Sequence, residues 1–206
     1  KSMQNLLEDS VNRTNTKIWV MLCDILMKQY EQGNEKLYLK QQYDTAAFFS
    51  VTKRMYETMA KFDSIDAHLN MPSPVLPKYR ERHAQFLNSI RPNLFNGGTY
   101  FLHVKDYKTA YDYFDNYIKT DKQSLFIGYD YEHKDDLMPH AAYWAMYCGY
   151  KLGDTEKTMR YLNLAERDSS MLNFVRQYEA SAYLMQKDTT KYLKALQEGF
   201  KEYPNF

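Results

Sequence analysis

The chain has 206 residues, 44% of them hydrophobic and 26% charged, which excludes a disordered polymer and suits a packed fold. Seven glycines and six prolines against 20 tyrosines and 11 phenylalanines favour helices over turn-rich sheets. Twenty-seven basic and 26 acidic residues leave a net charge of +1, which argues against nucleic-acid or polybasic membrane binding, since both need clustered Lys and Arg.

The chain opens Lys1-Ser2-Met3 and runs straight into an amphipathic segment, without the pattern of a secretory signal. The densest apolar run, Ile18 to Met27, is ten residues long and contains Asp24. A bilayer span needs roughly twenty. The run therefore predicts a buried helix and no transmembrane segment. Phe48, Val51, Met55, Met59 and Phe62 step by three and four, predicting a helix over about 45–63. Pro72, Pro74 and Pro77 mark 66–77 as a loop. A helix follows over about 78–90, and Pro92 suits the first turn of the next. Tyr107, Ala110, Tyr111, Phe114, Tyr117 and Ile118 form a second stripe; Met159, Leu162 and Ala165 form a third. Between these two stripes, 121–139 is polar, holds Gly128 and carries Asp130, Glu132, Lys134, Asp135 and Asp136, predicting an inserted loop. Short breaks at Lys105-Asp106, Gly153-Asp154 and Lys187-Asp188 force neighbouring helices antiparallel. No window alternates apolar and polar residues for long, so the expected class is all-α.

Aligned on those breaks, the segments repeat. Leu94-x-x-Gly97-Gly98-x-x-Phe101, then Asp106-Tyr107 and Ala110-x-x-x-Phe114, give a large residue, a small pair, an aromatic, a turn, then Ala and Phe. Small residues let two helices approach, and the later Ala and Phe fill the space left. A second copy carries Ala145, Gly153-Asp154, Leu162 and Ala165, with Gly149 in place of the aromatic and Thr158 in place of Ala. A third runs Ala180, Tyr183, Asp188, Leu196 and Pro204, with Tyr192 where Ala is expected. An earlier degenerate copy lies at Tyr38, Tyr43 and Ala46. The turn aspartates 154 and 188 are 34 apart, and 106 and 154 are 48 apart, the excess of 14 falling in the 121–139 loop.

These residues resemble the tetratricopeptide-repeat (TPR) family over roughly 28–206. Arg91-Pro92-Asn93-Leu94-Phe95-Asn96-Gly97-Gly98 and Ala141-Ala142-Tyr143-Trp144 are also similar to uncharacterised Bacteroides-type repeat proteins. The resemblance implies an α-α superhelix, a solenoid of helical hairpins forming one domain. Residues 1–76 would hold N-terminal helices and one degenerate repeat; 77–206 would hold an atypical helix and three repeats. Gly97, Gly98, Ala110, Phe114, Ala145, Leu162, Ala165, Ala180 and Leu196 are the expected repeat-packing positions. The likeness to the Bacteroides-type proteins also implies a longer parent chain and export to the periplasm or envelope.

For chemistry the sequence offers little. No two of His68, His83, His103, His133 and His140 are spaced as helical metal ligands, and Glu132-His133-Lys134-Asp135-Asp136 lacks the spacing of a calcium loop. The expectation is no metal, no cofactor and no catalysis. Lys78, Arg80, Arg82, His83 and Arg91 make a basic cluster, expected as a solvated helix face. Cys23 and Cys148 lie in apolar helical surroundings as buried thiols.

By repeat register, the concave groove implied by the resemblance is lined by Phe95, Thr99, Leu102 and His103, then Tyr143, Tyr147, Tyr150 and Lys151, then Gln177, Ser181, Leu184 and Met185. Tyr143, Tyr147 and Tyr150 step by four and three. That stripe suits either a peptide laid across it or padding between repeats. The expected function is a non-catalytic module binding a protein or peptide partner. The alternative is a scaffold segment, in a longer chain or self-associating, that packs through the apolar face of the C-terminal helix, Tyr192, Leu193, Leu196, Phe200 and Tyr203.

Overall fold

Helices starting after Asn15, Asp44, Asp106, Asp154 and Asp188 begin where that side chain accepts a free amide of the first turn. The computed structural model describes residues 3–69 and 77–203, in which twelve α-helices and two 3-10 turns occur and no strand. The all-α expectation therefore holds for the described residues. Pro72, Pro74 and Pro204 lie outside them. By internal contacts the chain divides into two compact units, 1–94 with 122–128, and 95–121 with 129–206.

The first unit is built on two long helices. α2 (Thr16–Tyr38) follows α1 (Met3–Glu8) and starts at Asn15, whose side chain accepts the Lys17 amide. It packs on α3 (Thr45–Leu69). The α3 stripe is buried as expected, with Phe48, Met55, Met59 and Phe62 each at most 4% exposed. Each such side chain is worth roughly 1.5–3 kcal/mol of burial. Trp19 stacks on Phe62 at 6.0 Å, and its indole N–H donates to the Arg13 carbonyl at 2.8 Å. The Ile18–Met27 run is buried on one side, where Trp19, Leu22, Cys23 and Leu26 lie, while Met21 and Ile25 are exposed.

The basic cluster is not a solvated face. α4 (Arg80–Ile90) buries His83, and Arg91 just after it is also buried. Arg80 forms a bidentate pair with Asp63, Nε to Oδ1 and NH2 to Oδ2, both 2.8 Å. Ser124 donates to the same Asp63 Oδ2 at 2.8 Å, clipping the 122–128 segment to α3. Phe126 then sets its ring 6.0 Å from Tyr56, whose hydroxyl donates to the Leu87 carbonyl. Burial lowers the pKa of His83, so the ring is held neutral. Arg82 fits the expectation, in an exposed pair with Asp24.

The second unit repeats one turn three times. Between α5 (Pro92–His103) and α6 (Tyr107–Lys119), Lys105 takes a left-handed φ of +63°. The Asp106 amide then donates to the Phe101 carbonyl, and its carboxylate accepts the Thr109 amide. Between α8 (Leu137–Leu152) and α9 (Thr155–Met159), Gly153 (φ +67°) and Asp154 do the same. Between α11 (Leu172–Met185) and α12 (Thr189–Glu202), Lys187 (φ +59°) and Asp188 repeat it. Each turn closes the preceding helix and caps the next. α8 packs on α6; α11 packs on α8, α9 and α12.

The expected repeat-packing positions differ in burial. Gly97, Gly98, Ala110, Phe114, Ala145, Ala165 and Ala180 are buried, and Leu162 and Leu196 half-buried. A methyl group on Gly98 would stand 2.7 Å from the Phe114 ring, and one on Gly149 would stand 2.4 Å from the Thr158 backbone nitrogen. Two expectations are corrected here. The 121–139 segment is not an open loop. It folds into 3-10 turns at Thr120–Lys122 and Ser124–Phe126, α7 (Tyr131–Lys134) and the first turn of α8, because Leu125, Phe126, Tyr131, Met138 and Pro139 are buried. The third stripe is not one helix either. It breaks at Arg160-Tyr161 into α9 and α10 (Leu162–Ala165), where the Tyr161 hydroxyl reaches Asp115 of α6 at 2.6 Å.

Candidate functional site

The residues assigned to a groove fall on α5, α8 and α11, the first helices of the three hairpins of the second unit. Rings connect them. Phe95 on α5 stacks on His140 at 6.0 Å, and His140 lies 6.0 Å from Tyr143. Tyr143, Tyr147 and Tyr150 on α8 all meet Tyr178 on α11, at 6.2, 5.8 and 5.0 Å. Tyr107 at the start of α6 meets Tyr147 edge-on at 6.0 Å. Lys151 sets its ammonium over Tyr147 at 5.5 Å and over Tyr150 at 6.0 Å.

The stripe is buried at one residue and half-buried at the other two. Tyr143 is 5% exposed and belongs to the seam between α8 and α11. Tyr147, Tyr150 and Tyr178 are half-buried, with their rings packed and an edge in solvent. Burial raises the pKa of Tyr143 and Tyr147, and burial together with Tyr143 raises that of Tyr178. These phenols stay neutral near neutral pH and can both donate and accept hydrogen bonds.

At other expected groove positions the polar side chains bond within their own helix. The Thr99 hydroxyl turns back to the Phe95 carbonyl, and the Ser181 hydroxyl to the Gln177 carbonyl. The Gln177 amide donates to Asn173 at 3.3 Å. Leu102 is half-buried; His103, Leu184 and Met185 are exposed.

Sequence reasoning missed Tyr178, Trp144 and His140. Tyr178 and Trp144 both lie ten residues before their turn aspartate, one step from the positions taken for the groove. The Trp144 indole N–H donates to His140 Nε2 at 3.0 Å, and His140 Nδ1 lies 2.7 Å from Asp168 Oδ2. Nε2 thus presents its lone pair to the indole, because an indole nitrogen can only donate. Among the described residues, no group of three or more His, Cys, Asp or Glu is placed to hold a metal ion, and no helix is long and apolar enough to cross a membrane. Cys23 and Cys148 are buried free thiols, each with its pKa pushed up to about 12 by burial. No family model, curated protein or solved structure matches this chain.

Proposed function

We propose that the chain is a non-catalytic, TPR-like module that binds a peptide or protein partner over the aromatic surface of its second unit. The observation that carries this reading is the set of half-buried rings, Trp144, Tyr147, Tyr150 and Tyr178, held at fixed spacing across α8 and α11 with Lys151 at one end. Rings already locked by packing lose little entropy on binding, and tyrosine offers both area and a hydroxyl. The Lys151 ammonium, stacked on two of them, favours an acidic group at that end of the partner. The repeated turns and small-residue contacts support a stacked-hairpin array as the platform.

The test uses a random peptide display library selected against the whole protein. Selected peptides are expected to lose affinity about tenfold or more on Tyr147→Ala, with helicity retained by circular dichroism. Peptides that bind Tyr147→Ala undiminished contradict the reading. A second reading, assembly through α12, rests on Leu193. It is 52% exposed, whereas Tyr111, its register equivalent on α6, is 2% exposed. Self-association that Leu193→Glu abolishes would support that reading instead.

A further inference from the structure

We propose that His140 is a proton-operated latch on Trp144, so that the indole is held in place only while the imidazole is neutral. An indole nitrogen can donate but not accept. Trp144 Nε1 lies 3.0 Å from His140 Nε2, so Nε2 must present its lone pair. The ring proton of neutral His140 is therefore on Nδ1, directed at Asp168 Oδ2 at 2.7 Å. The carboxylate is itself fixed, because its other oxygen accepts the Ser170 amide at 3.1 Å and the Ser170 hydroxyl at 2.5 Å. Ser170 and His140 outweigh the cost of burial and hold the Asp168 carboxyl below its usual range.

Adding a proton to Nε2 sets two N–H groups head to head. The Asp168 bond survives and strengthens, so the imidazolium stays where it is and Trp144 loses its partner. The imidazole side chain is 29% exposed and borders a cleft of about 440 Å³, which gives the proton a route from solvent. The charges facing it are mixed. Asp168 from the α10–α11 connection and Asp135 and Asp136 before α8 favour the cation; Arg167, and His133 when protonated, oppose it. α5 contributes the Phe95 ring and α8 the Tyr143 ring, both uncharged at neutral pH. The freed indole lies beside Tyr143 and Tyr147, at 4.9 and 5.7 Å, so acidification changes the aromatic surface itself. Histidine is the side chain that makes such a change between about pH 5 and 8.

Long-range proton–nitrogen NMR on the whole protein reads both halves of the latch without any ligand, so its outcome is separate from that of the peptide-binding test. Neutral His140 is expected as the Nδ1–H tautomer. On acidification the Trp144 indole N–H resonance should move in step with the second His140 ring proton. The Trp19 indole resonance, bonded to the Arg13 carbonyl, should stay still. His140→Gln, which offers an acceptor that does not titrate, should leave the Trp144 resonance constant over the same range. An Nε2–H tautomer for neutral His140, a Trp144 resonance that ignores the His140 titration, or a Trp144 shift that persists in His140→Gln would each overturn the proposal.

Discussion

The hairpins α5/α6 and α8/α9 share a turn but are closed by different contacts. In the first, Gly98 makes room for the edge of a buried ring, Phe114. In the second, Gly149 admits backbone, with Thr158 N at 2.4 Å and Lys157 C at 2.7 Å from where a methyl would stand. A ring edge can tilt, whereas a helix backbone can yield only by moving the whole helix. One repeat plan thus tolerates change in its first hairpin that its second does not, and the second is the hairpin that carries the aromatic surface.

The largest expected effect tests that contrast directly. Gly149→Ala should cost about 3 kcal/mol, at the upper end for overpacking, and Gly98→Ala about 1–2 kcal/mol. Amide exchange protection on α8 and α9 and the urea midpoint check both. Equal losses at the two sites would break the comparison. A smaller effect comes from the turns. Asp154→Ala removes the acceptor for the Lys157 amide and should cost about 1 kcal/mol. Hydrogen bonds from the Lys157 ammonium and amide lower the Asp154 pKa. The ionised cap therefore stabilises the folded state above the unfolded pKa of about 4, and that contribution fades as pH falls through the lower folded value. The gap between wild type and Asp154→Ala should accordingly narrow in acid. The smallest effect separates the turn residues. Lys187→Gly should gain about 0.5–1 kcal/mol, because lysine there sits at a φ of +59°, and Gly153→Ala should lose a similar amount at +67°. Thermal melts read both signs.

What could be read in advance follows from what is local. The stripes on α3 and α6 and the three turn aspartates are short-range features, and each lies where its periodicity or capping chemistry puts it. α3 runs to Leu69, past the 63 that its stripe predicts, because Ile65 and Asp66 continue the packed face beyond the last apolar step. The Asp63–Arg80–Ser124 clip joins residues 17 and 61 apart, and nothing in the local pattern marks the basic residues as paired. Tyr178 escaped notice for a related reason. Which residue of α11 faces α8 depends on how the two helices cross, and a shift of one position changes the answer. The break at Arg160-Tyr161 likewise answers to Asp115 on another helix.

The central claim is that the rings of α8 and α11 form the partner surface. Mapping a library-selected peptide onto the isotope-labelled protein by chemical-shift changes tests it most directly. The account predicts that the shifts concentrate at Trp144, Tyr147, Tyr150, Lys151 and Tyr178, leaving Leu193 of α12 and the surroundings of Trp19 unchanged. Shifts centred on Leu193 or on Trp19 would contradict it.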